Sequence, residues 1–160
     1  MAATLHAELQ PLAFLLGTWT GTGTGDYPTI EPFGYREELA FEHVGEPFLL
    51  YRQESWDATT GDPVHFERGF LRPGSTQGSV ELCLAHPLGL TEIGHGTVVD
   101  GSLVLEAGTG DVGRTSTGLD VSRVVRRYRV DDDTLAYELD MATDRTPLTW
   151  HLAGTLERST

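Results

Sequence analysis

Residues 17–30 read GTWTGTGTGDYPTI, a stretch in which a glycine follows the tryptophan at every second position. A glycine-rich loop that binds a dinucleotide is followed by a helix within a β-α-β unit. Here the tyrosine, proline and isoleucine that end the stretch oppose a helix, so the spacing does not indicate a dinucleotide site. The stretch instead predicts a first strand whose small residues let another segment or a bound ligand approach its backbone closely.

The segments that follow alternate apolar and polar side chains with a period of two, which is typical of half-buried β-strands. In FGYREELAFEHV the apolar phase includes Phe33, Tyr35, Leu39 and Phe41. GSVELCLAH and LAYELDM repeat the pattern, and Gly, Pro and Asp clusters separate such segments about every ten residues. We predict ten strands, near residues 17–24, 34–44, 47–57, 63–72, 78–86, 90–99, 102–109, 119–130, 134–143 and 148–158.

Ten short strands in one small chain would leave exposed sheet edges unless the sheet closes on itself. The predicted fold is therefore all-β, a ten-stranded antiparallel up-and-down β-barrel, with a short helical turn near the N-terminus in the apolar run PLAFLLG. About eight strands already enclose an interior that side chains can fill, so ten strands should leave a cavity. We predict a tail over residues 1–10 and a single barrel domain over residues 11–160.

The charge balance of the chain bears on its partners. Acidic residues number 24 against 11 basic ones, for a net charge of -13. Affinity for nucleic acid and for anionic membrane surfaces comes mainly from clustered Lys and Arg, so neither partner is predicted. Cys83 is the single cysteine, which excludes an intramolecular disulfide, and no apolar run has the length of a membrane span. A cytoplasmic location is the resulting expectation.

The histidines are the richest source of chemistry in the sequence. None lies in an H-E-x-x-H motif. His86 falls in the apolar phase of its strand, where it is either a hydrogen-bonded core residue or a cavity group, whereas the direction of His65 is not fixed by its neighbours. In LTWHLAGTL, residues 148–156, the bulky side chains occupy one phase and His151 the other. His151 therefore faces either the solvent or a cavity wall of small residues.

Four stretches together resemble the nitrobindin family in order and spacing, from about residue 11 to the end of the chain. They are PLAFLLGTWTGTGTGDYPTI, FGYREELAFEHVGEPFLLY, AHPLGLTEIGHG and MATDRTPLTWHLAGTL. Gly17, Trp19, Gly21 and Gly23 meet the family signature G-x-W-x-G-x-G, and residues 147–152 meet the P-L-x-x-H-L of its last strand. The resemblance implies a ten-stranded barrel that encloses one heme b per chain.

The same resemblance implies roles for individual residues. His151 would be the axial ligand of the heme iron and, in that role, the catalytic residue. Thr29 falls at a family position close to the heme. His65, His86 and Met141 would line the cavity as further cofactor-binding residues, and His86 stands where relatives often have glutamine.

The implied activity is the isomerisation of peroxynitrite to nitrate on ferric heme, with nitric oxide binding to the ferrous form, as protection against reactive nitrogen species. Peroxynitrite and nitric oxide are then the predicted partners, and a homodimer is left open. Two alternatives remain at this point. The same barrel could be a metal-free carrier of a small apolar ligand, because a fold does not determine a function. It could also be a sensor or store of nitric oxide without catalytic turnover.

Overall fold

The computed structural model describes residues 3–159, which form one closed antiparallel sheet preceded by a 3₁₀ helix over Ala7–Leu15. The strands are β1 (Gly17–Tyr27), β2 (Ile30–His43), β3 (Leu49–Asp57), β4 (Pro63–Pro73), β5 (Ser79–His86), β6 (Leu90–Val99), β7 (Ser102–Ala107), β8 (Val112–Arg114), β9 (Val121–Asp131), β10 (Thr134–Thr143) and β11 (Thr149–Arg158). Within the described part of the chain, no helix has the length and hydropathy needed to cross a membrane.

The predicted ten-stranded barrel is confirmed. Apart from β8, each strand pairs with the next barrel strand along the chain, including β5 with β6 and β7 with β9, and β1 pairs with β11, so that the sheet closes. β8 is an additional strand of three residues that pairs with the start of β6, beyond the stretch that pairs with β7. The 3₁₀ helix begins at Ala7, within the segment 1–10 that was predicted as a tail. Residues 1 and 2 of that segment and residue 160 of the predicted barrel domain lie outside the described residues.

The alternating glycines of β1 make room for aromatic rings of the neighbouring strand. A Cβ atom added at Gly23 would overlap the ring of Tyr35, and one added at Gly25 would overlap the ring of Phe33. Both aromatic residues lie on β2, directly opposite these glycines in the strand pairing. The close approach predicted from residues 17–30 is therefore made by another segment of the same chain.

The interior of the barrel is layered along its axis. At the closed end the 3₁₀ helix covers an apolar core, where the fully buried Trp19 donates a hydrogen bond from Nε1 to the carbonyl oxygen of Leu15 at 2.8 Å. The other fully buried members of this core are Leu9, Leu12, Leu15, Leu39, Phe41, Leu49, Leu71, Leu82, Leu103, Leu105, Leu135 and Leu156. Above it lie a layer of charged and hydroxyl groups and then an apolar mouth, which together line the cavity.

Candidate functional site

The barrel encloses a cavity of about 240 Å³ that opens to solvent at the end opposite the 3₁₀ helix. Four apolar side chains at this opening, Ile30, Val64, Leu88 and Leu119, are between 41 and 49% exposed. Each of them also lines the cavity. An exposed apolar rim around a cavity is a surface that a large apolar ligand can cover.

Below the rim the cavity walls are apolar on most sides. We call the rim and these walls, together with one histidine, the mouth layer. Its wall residues are Phe33, Leu90, Val112, Val121, Val124, Leu139, Met141 and Leu152, and its histidine is His151.

His151 reaches the mouth layer because β11 contains a β-bulge. Along the β10–β11 pairing Leu139 lies opposite Leu152, and the next residue, Asp140, lies opposite Trp150. His151 is the extra residue of β11, and such a residue redirects the side chains of its strand. The alternative in which His151 faces the solvent assumed strict alternation along β11, and the bulge interrupts that alternation. Trp150 faces outward, while His151 and Leu152 both line the cavity.

The hydrogen bond of His151 defines its tautomer. Its Nδ1 lies 3.2 Å from the carbonyl oxygen of Asp26, and because a carbonyl oxygen can only accept, Nδ1 carries the proton. A neutral ring in this tautomer keeps the lone pair of Nε2 available as a metal ligand. Burial lowers the pKa of His151, which favours the neutral form, although the bond to Asp26 acts in the opposite direction. The rings of Tyr27 and Phe33 hold the imidazole edge-on.

Beneath the mouth layer lies a set of buried charged groups around Arg126, which we call the polar layer. Arg126 donates to both oxygens of Glu67 at 2.8 and 3.0 Å and to both oxygens of Glu92 at 2.8 and 2.9 Å. Glu37 lies nearby and accepts hydrogen bonds from Gln53 and from a tyrosine hydroxyl. The four tyrosines that complete the layer are Tyr35, Tyr51, Tyr128 and Tyr137.

The carboxyl groups of the polar layer differ in their protonation. Burial alone would raise the pKa of Glu67 and of Glu92, but the Arg126 guanidinium holds both pKa values below their usual range. Glu37 does not contact Arg126 directly, and burial raises its pKa to about 7. The layer therefore holds two ionised carboxylates and a third carboxyl group that keeps its proton below pH 7 and loses it as the pH rises through 7.

His65 and His86 lie on the cavity wall between the two layers. The two imidazoles contact each other, with 3.2 Å between His65 Nε2 and His86 Nδ1. His86 Nε2 lies 3.1 Å from Glu92, so His86 is a hydrogen-bonded residue and a cavity group at once. Met141 lines the mouth layer, as the resemblance implied. Thr29 lies in the exposed turn between β1 and β2, next to the rim residue Ile30 and not on the cavity wall.

Sequence reasoning missed the polar layer. Glu37, Glu67, Glu92 and Arg126 are all buried and were not among the candidate residues. A signal was present for Glu37 and Arg126, because each lies in the apolar phase of its strand: Glu37 falls between Tyr35 and Leu39, and Arg126 between Val124 and Tyr128. A charged residue in the apolar phase is rarely buried without a partner, so such residues indicate an internal ionic cluster.

Comparisons with known proteins agree with this geometry. The family model described as the THAP4-like, heme-binding beta-barrel domain matches residues 8–158. A peroxynitrite isomerase of Nocardia farcinica is 49% identical over 156 residues, which cover 96% of this chain and 92% of that protein. Peroxynitrite isomerase 2 of Mycobacterium avium is 46% identical over 160 residues, which cover 99% of this chain and 99% of that protein. The crystal structure of Rv2717c from M. tuberculosis matches with a TM-score of 0.90 at 46% identity, covering 98% of this chain and 100% of that chain.

Proposed function

The chain belongs to the THAP4-like heme-binding β-barrel family, and we propose that it isomerises peroxynitrite to nitrate at a heme b group bound in the mouth layer. Family membership confirms the resemblance to nitrobindins, and heme is the cofactor of the family. Support for the activity comes from relatives named peroxynitrite isomerase that match nearly the whole chain.

The observation that carries the proposal is the state of His151. Its imidazole lies in an apolar wall, is held through Nδ1 by the carbonyl oxygen of Asp26, and has Nε2 available as a donor to iron. A single neutral imidazole is the axial ligand of many heme proteins, and a hydrogen bond from its other nitrogen fixes its orientation. We propose that His151 is the axial ligand.

The remaining residues of the mouth layer suit a porphyrin. Apolar side chains such as Val124, Leu139 and Met141 would contact its faces, and the exposed rim would cover its edge. When bound, ferric heme supplies a Lewis-acidic iron atom at which peroxynitrite can rearrange to nitrate. The chain contributes the ligand and its orientation, and its apolar walls exclude bulk water from the reacting anion.

We also propose that nitric oxide binds to the ferrous form. Nitric oxide is neutral and small, so the apolar mouth layer offers it access without a cost of charge burial. Titration of the reduced protein with nitric oxide, followed by its absorption spectrum, tests this point. An unchanged spectrum in the presence of excess nitric oxide would contradict it.

A hemin titration of wild type and His151→Ala tests the axial ligand. We expect His151→Ala to shift the Soret band and to weaken hemin binding at least about tenfold, which corresponds to about 1.4 kcal/mol. Apolar contacts should still retain some porphyrin. Stopped-flow decay of peroxynitrite, measured on both heme-loaded proteins, then tests the activity, and the variant should lose the accelerated decay.

His65→Ala and His86→Ala are the matched controls, because both histidines also line the cavity. Each control should keep the wild-type Soret position. If His151→Ala kept the Soret position and hemin affinity while either control lost them, the axial ligand would be the other histidine. If wild type bound hemin and left peroxynitrite decay unchanged, the isomerase proposal would fail and the nitric oxide store would be the better hypothesis.

A further inference from the structure

Three potential metal-ligand atoms meet on the cavity wall at the border of the polar layer. They are Nε2 of His65, Nδ1 of His86 and Oε1 of Glu67. The two nitrogens are 3.2 Å apart, and Oε1 lies 3.2 Å from the His65 nitrogen and 3.5 Å from the His86 nitrogen. Around a tetrahedral ion with bonds of about 2.1 Å, neighbouring ligand atoms are about 3.4 Å apart. The three atoms therefore already have the separations of one face of a coordination tetrahedron.

The tautomer of His86 favours metal binding. Its Nε2 lies 3.1 Å from Oε2 of Glu92, the same oxygen that accepts a hydrogen bond from Arg126 and therefore acts as an acceptor. Nε2 therefore carries the proton, and the lone pair of Nδ1 is directed at the cluster. A ligating histidine in metal sites almost always donates its other ring N–H to a carboxylate or a carbonyl oxygen in this way.

The third ligand is also held in position. Glu67 receives two hydrogen bonds from Arg126 and a third from the hydroxyl of Tyr51, at 2.8 Å. Its Oε1 accepts one of the Arg126 bonds, and its second lone pair faces Nε2 of His65, whose proton a bound cation would replace. A carboxylate that is fixed on one side by a guanidinium can ligate an ion on the other without moving.

The charge of the cluster favours a cation. Two buried carboxylates, Glu67 and Glu92, face the guanidinium of Arg126, so these three groups together carry an excess of one negative charge. Charge of this kind is costly in a buried environment. An ion between His65, His86 and Glu67 would compensate it.

We propose that His65, His86 and Glu67 form a binding site for a divalent transition-metal ion, with Zn²⁺ as the probe, inside the barrel and separate from the heme. Two imidazoles and one carboxylate suit Zn²⁺ and its neighbours, whereas Mg²⁺ and Ca²⁺ prefer oxygen ligands. All three residues line the cavity, so the fourth position would be open to water or to a small anion. The site does not include His151, the proposed ligand of the heme iron, and the resemblance gave His65 and His86 only as cavity-lining contacts of the cofactor, so the zinc site does not depend on the proposed function.

Calorimetric titration of the heme-loaded full chain with Zn²⁺ tests the site. We expect one Zn²⁺ per chain, no binding of Mg²⁺ under the same conditions, and loss of the Zn²⁺ site in both His65→Ala and His86→Ala. Glu92→Gln should weaken Zn²⁺ binding roughly 10- to 100-fold, because it removes the carboxylate that orients His86. His95→Ala is the matched control, since His95 lies exposed on β6, outside the cluster, and its loss should leave Zn²⁺ binding unchanged.

A second measurement needs no variant. X-ray absorption at the zinc edge, which heme iron does not obscure, should show two imidazoles in the first coordination shell of wild type. A shell without imidazole, wild-type affinity in both histidine variants, or no Zn²⁺ binding to wild type would each overturn the proposal. The same titration on His151→Ala separates the two metal hypotheses, because Zn²⁺ binding should persist there while the Soret band changes.

Discussion

The mouth layer and the polar layer are built from the same strands, often two residues apart. On β9, Val124 belongs to the mouth layer and Arg126 to the polar layer, and on β6 the corresponding pair is Leu90 and Glu92. The charged groups of the polar layer bond to one another. In the mouth layer, by contrast, His151 has a nitrogen available to a ligand, and the rim is apolar yet exposed.

This difference separates the requirements of folding from those of binding. Groups that are satisfied by other protein groups contribute to the native state, and removing one partner leaves the other buried and unpaired. Groups of the mouth layer that have no protein partner reduce the stability of the ligand-free protein, and only a bound ligand satisfies them. We therefore expect substitutions in the polar layer to change mainly the free energy of unfolding, and substitutions in the mouth layer to change mainly hemin affinity.

The largest effect is expected for Arg126→Leu. It leaves Glu67 and Glu92 as buried charges without their common partner, which typically costs about 3–5 kcal/mol. Urea unfolding of the heme-free protein at neutral pH, followed by tryptophan fluorescence, measures the loss. Arg127→Leu is the matched control, because the neighbouring side chain points outward and pairs with Glu138 and Asp140 at the surface, where such pairs contribute below about 1 kcal/mol. Equal losses of unfolding free energy in the two variants would contradict the stabilising role assigned to the polar layer.

Glu37→Gln should have the next largest effect, and this effect should depend on pH. Burial raises the pKa of Glu37 to about 7 from 4.5, so the folded protein retains a proton that the unfolded chain releases. Stability from this proton is fully present below pH 4.5 and is lost as the pH rises through 7. The difference of about 2.5 pH units corresponds to roughly 3 kcal/mol at most.

Glutamine resembles the protonated carboxyl group and does not titrate. The stability of Glu37→Gln relative to wild type should therefore increase between pH 5 and pH 8, as measured by urea unfolding at each pH. Comparing the two proteins isolates Glu37, because Glu67 and Glu92 titrate equally in both. A relative stability that does not vary with pH would show that Glu37 is ionised throughout, and that the polar layer tolerates another negative charge.

Most of the fold was predictable from the sequence, because the period-two alternation is a direct consequence of strands with one buried face. All ten barrel strands follow from it, whereas β8 is too short, at three residues, to display a period. The inward direction of His151 could not be derived from alternation, because the bulge in β11 shifts the phase at that residue. A bulge depends on pairing with β10, which a single strand's sequence does not encode.

The polar layer was predictable only in part. The inward phase of Arg126 could be read from its strand, whereas that of Glu67 was as undetermined as that of His65 on the same strand. No single strand shows that Glu67, Glu92 and Arg126 meet at one point. They come from β4, β6 and β9, and up to 59 residues separate two hydrogen-bonded partners. Their contacts follow from closure of the barrel and from the register of several strand pairs, which is tertiary information.

A smaller effect is expected for Leu119→Ser in the rim. Leu119 is 49% exposed, and a bound porphyrin that covers it would bury roughly half of its side chain. Loss of this burial should weaken hemin binding by about 1 kcal/mol, or roughly fivefold, and change the free energy of unfolding by less than about 0.5 kcal/mol. Val104→Ser is the control, since Val104 is similarly exposed on β7 away from the cavity. An equal change of hemin affinity in both variants would exclude the rim as a ligand contact.

The smallest expected effect concerns the entry of anions into the mouth layer. The chain carries a net charge of -13, so its field should slow the association of an anion such as azide with the ferric heme protein. Salt screens the surface charges but hardly reaches the buried polar layer beneath the mouth. Raising the ionic strength from about 0.01 M to about 0.15 M should therefore increase the association rate of azide modestly, by about twofold. Nitric oxide, which is neutral, should associate with the ferrous protein at a rate independent of salt. If the rate for azide fell with salt instead, arginines near the opening would dominate the local field, and the mouth layer would attract anions despite the charge of the whole protein.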